Sequence, residues 1–133
     1  MAEELRTRVA KSLTKAREKL DGARAARVGG FHADAVSRAY YAIFHAAKAT
    51  LLPRHAEPRT HRGLAALVHP HLVLPGLLDR DLEAKLAQAR DLRENGDYEI
   101  EAHLTRADAD AVIADAEKLL AAFESILEKD GLA

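Results

Sequence analysis

The chain has no cysteine and no tryptophan, one methionine, three phenylalanines, three tyrosines and four prolines in 133 residues. Each shortage excludes something. Without cysteine there is no disulfide framework, no thiolate nucleophile and no zinc site built on sulfur. No apolar run approaches the ~20 residues that a membrane-crossing helix needs. The opening stretch, MAEELRTRVAKSL, is charged from its third residue and lacks the apolar core of a secretory signal. The expectation is therefore a soluble, cytoplasmic protein. An excess of one charge is also missing: the formal net charge is -1. That argues against a protein whose main task is holding nucleic acid by charge, while leaving room for a local basic patch.

Other chemistries fail on spacing. Gly29-Gly30 lacks the Lys and Ser or Thr of a phosphate-binding loop. A di-metal bundle needs Glu-x-x-His pairs, and Glu101-Ala-His103 has the wrong spacing. His69-Pro-His71 brackets a proline and has no evident co-ligands. Ser12, Ser37 and Ser125 lack flanking residues that mark a nucleophile. No metal and no cofactor are expected, and spacing alone reveals no enzyme.

What is present is helical periodicity, with almost half the residues apolar. Nowhere do β-branched and aromatic residues alternate with polar ones as a strand requires. Gly and Pro cluster at Gly29-Gly30, Pro53 to Pro58, Pro70 to Gly76 and Gly96, cutting the chain into helical lengths. The first piece, about Ala2 to Arg27, carries Leu5, Val9, Leu13, Ala16, Leu20 and Ala23 on one stripe. The second runs from about Phe31 to Leu52. Thr60 is placed to cap a short helix that Pro70 stops, and Asp79 a fourth that continues through Arg93 and ends at Gly96. The last begins with a capping-box-like Thr105 and Asp108 and shows Val112, Ile113, Ala116, Leu119, Leu120, Phe123, Ile126 and Leu127 inward. The fold expected is all-α: one domain, residues 1–133, as an antiparallel bundle of four long helices and a short one.

The second helix carries an unusual number of polar tips, in the stretch SRAYYAIFHAAKATLL. Wound at about 100° per residue, it shows three faces. Val36, Tyr40, Ile43, Ala47 and Leu51 form an apolar stripe. Ala39, Ala42, Ala46 and Ala49 form a stripe of methyl groups, suited to a helix contact within the chain or a dimer seam. Ser37, Tyr41, His45 and Lys48 form a polar stripe, with Arg38 beside it and Phe44 at its border. Two apolar faces mark a central helix. The polar stripe either packs with its tips hydrogen-bonded or borders a site.

Three stretches taken together, SRAYYAIFHAAKATLL at 37–52, THRGL at 60–64 and ARDLRENGDYE at 89–99, resemble in order and spacing the small stand-alone HEPN-domain proteins of bacteria and archaea. The resemblance runs from about Glu4 to Leu127. It implies a bundle of four main helices plus a short one, usually dimeric, with a minimal nucleotidyltransferase as partner in a toxin–antitoxin-like pair. Many members are metal-independent ribonucleases that carry an arginine and, four to six residues further, a histidine. Histidine takes the proton of the 2′-hydroxyl, and the arginine fork stabilises phosphate charge.

Carried onto this chain, that motif falls at Arg93-Glu-Asn-Gly-Asp-Tyr98, where tyrosine replaces the histidine; Glu99 and Ile100 do not restore it. A phenol with a pKa of about 10 is a poor base at neutral pH. The resemblance thus implies a non-enzymatic or weakly enzymatic member, with helices two and four side by side. Its site would be a cleft of Arg38, Tyr41, His45, His61, Arg93, Asp97 and Tyr98, binding a nucleotide or an RNA phosphate. Tyr98 or Tyr41 would accept AMP from the partner. A ribonuclease in which Arg93 and Arg38 hold the phosphate and His45 or His61 serves as base, with Arg93 and His45 the first choice of catalytic pair, and a structural helical adaptor whose polar network only packs, are the alternatives. Of the other Arg–His strings, Arg27–His32, Arg38–His45, Arg54–His61 and Arg62–His69, only Arg38–His45 shares a helix face.

Overall fold

A computed structural model of the chain describes residues 2–98 and 103–133, the side chain of Tyr98 excepted. Five α-helices follow one another: α1 (Ala2–Val28), α2 (His32–Leu51), α3 (His61–Val68), α4 (Arg80–Tyr98) and α5 (Arg106–Lys129). Among the described residues there is no strand. The four long helices run up, down, up and down, and the short α3 lies across the connection from α2 to α4. The bundle is all-α and antiparallel.

Local chemistry explains the turns. At the end of α1, Gly30 adopts φ +82°. The amide of Phe31 then reaches the carbonyl of Ala26 at 2.9 Å, and that of Gly30 reaches Arg27 at 3.1 Å. Those two bonds satisfy carbonyls that a helix end leaves orphaned, and glycine adopts the left-handed conformation without penalty. Thr60 caps α3, its hydroxyl accepting the Gly63 amide at 2.8 Å. Thr105 and Asp108 form a reciprocal capping box at α5 despite Asp standing in for Glu.

Helix α2 is the centre of the bundle and packs against α1, α3, α4 and α5. Both apolar stripes, Val36/Tyr40/Ile43/Ala47/Leu51 and Ala39/Ala42/Ala46/Ala49, are fully buried. The alanine stripe is thereby an internal helix contact: Ala49, for instance, packs with Val9, Leu13 and Leu127. Methyl-only side chains let neighbouring helices come close around one central rod. On the outside, α1 is laced to α5 by Arg17–Glu124, Arg24–Glu117 and Arg27–Asp110.

Two expected helix ends are corrected. Pro70 does not stop the helical path after α3, because the chain widens into a π-turn over His69–Val73, closed by the Leu74 amide on the His69 carbonyl at 2.9 Å. The wider turn carries the proline, which has no amide to give. Gly96 does not end α4, which continues to Tyr98. A Cβ built on Gly96 would lie 2.6 Å from Leu104 Cδ1. Glycine is there because Leu104 crosses against the helix, a close-approach requirement.

Candidate functional site

The polar stripe of α2 meets α3 and α4 on one side and α1 on the other. On the first side, α4 delivers Arg93, on the same buried face as Leu86 and Ala89 and only 8% exposed. Its guanidinium carbon lies 5.1 Å from the centre of the Tyr41 ring and 5.6 Å from that of Tyr40. Nη2 donates to the Tyr41 hydroxyl at 3.2 Å. Nε is 3.2 Å from Asp97 Oδ2, one turn on along α4, but is not aligned for a hydrogen bond and has no aligned acceptor among the described residues. The guanidinium is thus a buried cation beside one carboxylate and one phenol, the charge-assisted kind of contact that holds an arginine in place.

The N-terminus of α3, fixed by the Thr60 cap, delivers His61 to the same place. Its Nδ1 is 3.2 Å from the Tyr40 hydroxyl, and its ring centre lies 5.2, 5.4 and 4.9 Å from those of Tyr40, Tyr41 and Phe44. Burial, then the charge of Arg93, lowers the His61 pKa from its ordinary value, against a smaller opposing effect of Glu94. Burial likewise pushes the Tyr40 phenol up to about 12, although Arg90 and Arg93 pull the other way. The cluster therefore holds the Arg93 cation with Asp97 beside it, the Tyr40 and Tyr41 hydroxyls and, at neutral pH, a neutral His61 imidazole.

The expected cleft is only partly assembled. Tyr41, His61, Arg93 and Asp97 come together. Arg38 does not join them: it pairs with Asp34 at 3.0 Å and lies over Gly22 of α1, where an added Cβ would be 3.2 Å from Arg38 Nη1. His45 shares that α1 side. Its pKa falls to about 4, through burial first and then through Lys15, Lys48, Lys19 and, last, His61. Phe44 touches both imidazoles, with its ring centre 5.5 Å from that of His45 and 4.9 Å from that of His61. The helix wheel puts Arg38, Tyr41 and His45 on one face, but a step of three residues is enough to send Tyr41 to α4 and the other two to α1. The Tyr98 side chain lies outside the described residues, as do Glu99 to Ala102. Periodicity alone makes Tyr40 a core residue; its adjacency to Tyr41 and the cap-fixed His61 is the signal that could have placed it in the cluster. Among the described residues no three His, Asp or Glu side chains converge as a metal-binding group, and no helix is long and apolar enough to cross a membrane.

The model of the HEPN domain matches residues 9–126. The chain belongs to the HEPN family. It is 42% identical over 88 residues to a UPF0332 protein of Archaeoglobus fulgidus, spanning 66% of this chain and 70% of that one. It is 31% identical over 114 residues, 86% of this chain and 84% of the other, to a protein of Methanocaldococcus jannaschii named "Putative toxin MJ0605". The crystal structure of TT1696 from Thermus thermophilus superposes with a TM-score of 0.79 at 24% identity, covering 90% of this chain and 98% of that chain, a likeness of fold. Within the HEPN bundle, Arg93 occupies the last two turns of α4, and the Tyr40/Tyr41/His61 group closes over it from α2 and α3.

Proposed function

We propose that this HEPN protein has a toxin-like role in a two-component pair and acts by binding phosphate, of a nucleotide or of RNA, at Arg93. The observation that supports this most is the Arg93 guanidinium, nearly buried over the adjacent Tyr40 and Tyr41 rings, with Nη2 on the Tyr41 hydroxyl and Nε 3.2 Å from Asp97 but not aligned to it as a hydrogen bond. Tyr41 and the neutral His61 supply further hydrogen-bonding groups to an oxyanion there. The M. jannaschii relatives named as toxins are consistent with the role.

The partner is a minimal nucleotidyltransferase, and the working unit a homodimer. Regulation is by AMP transfer: a tyrosine oxygen of Tyr98 or Tyr41 bonds to the α-phosphorus of ATP, the bond to pyrophosphate breaks, and the phenol proton passes to a base. An AMP on either residue fills the Arg93 site with bulk and negative charge. Coexpression with that nucleotidyltransferase, followed by copurification and intact-mass analysis, tests the pairing. A complex, with one AMP-sized mass increase mapping to Tyr98 or Tyr41, is expected. No complex and no adduct with an active partner would remove this reading.

One observation favours a second reading, a metal-independent ribonuclease. His61, and not His45, stands in the Arg93 cluster with its pKa lowered. A neutral imidazole there is able to take the 2′-hydroxyl proton while Arg93 holds the phosphate. In that case cleavage of RNA is lost on His61→Ala and retained on His45→Ala.

A further inference from the structure

The hydrogen bond between Tyr40 and His61 has a direction that its surroundings fix. Nδ1 of His61 lies 3.2 Å from the Tyr40 hydroxyl. Tyr40 is fully buried, and among the described residues its hydroxyl has no other hydrogen-bond partner. Arg93 gives its Nη2 donor to Tyr41 and meets Tyr40 only over the ring. If Nδ1 carried the imidazole proton and donated, the phenol proton would be buried without an acceptor, which folded chains avoid. A phenol that donates to Nδ1 satisfies both groups. Burial keeps that phenol protonated far above neutral pH, so the donor is present.

The imidazole is also held in that orientation. His61 is the first residue of α3, where the Thr60 cap fixes its backbone. Tyr40, Tyr41 and Phe44 all pack on its ring. Turning the ring over would set a carbon, Cδ2, against the phenol and orphan the same buried proton. With Nδ1 engaged, a neutral imidazole carries its one proton on Nε2. His61 is only half-buried, and its Nε2 has no hydrogen-bond partner among the described residues. Arg93 and His61 rest against the same two tyrosine rings, near enough for the guanidinium charge to act on the imidazole. Tyr41 accepts from Arg93 and has its own proton to give. Asp97 offsets part of the Arg93 charge from the Nε side, so donors beside the guanidinium matter to holding an anion there.

We infer that Tyr40 is a positioning residue: its hydroxyl donates to His61 Nδ1 and thereby makes His61 Nε2–H a hydrogen-bond donor to a phosphate held at Arg93. The direction of the Tyr40–His61 bond stands on geometry alone, and the phosphate rests on the function proposed above. So arranged, His61 has no lone pair free to take a 2′-hydroxyl proton, and the contact weighs against the ribonuclease reading.

The test is NMR of the imidazole nitrogens in isotope-labelled protein at neutral pH, read through long-range correlations from Cε1–H and Cδ2–H, first without ligand and then with AMP. Wild type should show the His61 proton on Nε2, with Nδ1 displaced from the shift of a free, unprotonated nitrogen. Tyr40→Phe keeps the ring and should return Nδ1 to that free position. A proton on Nδ1 in wild type, which needs no variant to detect, would overturn the inference, as would an Nδ1 shift that Tyr40→Phe leaves alone. AMP should then move His61 Nε2, and Tyr40→Phe should weaken AMP binding about threefold, within the range of one neutral hydrogen bond. In a His61→Ala background the same change should cost nothing further, because Tyr40 acts through His61. An equal loss there would make Tyr40 merely structural, and RNA cleavage abolished by His61→Ala would make His61 a base; either result overturns the inference. The two failures are separable. AMP that shifts Arg93 Nε–Hε and leaves His61 Nε2 unmoved removes the donor role and keeps the phosphate site. A wild type that does not bind AMP removes both, while the Tyr40–His61 bond direction is still read from the free protein.

Discussion

Acid should destabilise this protein in part through His45, the histidine whose pKa falls furthest. His45 ionises at about 4 in the folded chain against 6.5 for the free side chain, by burial and by Lys15, Lys48 and Lys19. The folded state thus binds the proton more weakly than the unfolded one. Its contribution to stability is complete above pH 6.5, declines as pH falls from there toward 4, and is level below. A fall of that size corresponds to about 3.4 kcal/mol at full value. His45 is only partly buried, so solvent screening brings this to about 1–2 kcal/mol, of which about 1 is lost by pH 4.5. His45→Gln removes the titration and keeps a polar side chain of similar reach. Urea unfolding of both proteins at pH 7 and pH 4.5 isolates the effect, because carboxylates that protonate over this range do so in both. The wild type should lose about 1 kcal/mol more than the variant across the interval. Parallel losses would show that His45 is neither buried nor crowded by lysines enough to hold its pKa down, and would refute the reasoning.

Arg93→Met should cost about 1–2 kcal/mol in urea unfolding, through loss of its contacts with two tyrosine rings and of its hydrogen bond to Tyr41. It should also raise the His61 pKa by NMR titration, because the guanidinium is one cause of its depression; an unchanged His61 would contradict the cluster geometry. Thr105→Ala opens the capping box of α5 and should cost about 1 kcal/mol. A thermal melt that does not move would mean that the two reciprocal bonds contribute nothing in solution.

The helices were legible because burial and period coincide: Val36 to Leu51 and Val112 to Leu127 repeat at three and four residues, and every one of those core positions is inside. Caps were legible where one side chain performs the task, as at Thr60 and Thr105. Helix ends that depend on a distant neighbour were not. Gly96 looks like a stop until Leu104 is seen against it, and Pro70 until the turn around it widens. For the site, the pairing of α2 with α4 placed Tyr41 near Arg93, and the helix wheel could go no further. It gives direction around one axis and says nothing of where a neighbouring helix ends its reach, so Arg38 and His45 fall to α1. Tyr40 escaped notice because a fully buried ring on an apolar stripe looks like core, and only the position of His61 reveals what its hydroxyl meets.

The central claim is that Arg93 is a phosphate-binding residue and not solely a packed one. Its Nε–Hε resonance, followed by NMR during titration with AMP, tests this most directly. The account predicts a saturable shift of Arg93 Nε–Hε together with the His61 ring, absent for adenosine, which lacks the phosphate, and a loss of the His61 response in Arg93→Met. Arg93 and His61 resonances that stay fixed while the protein remains folded would contradict it, and the guanidinium with its tyrosine and aspartate neighbours would then be a structural network only.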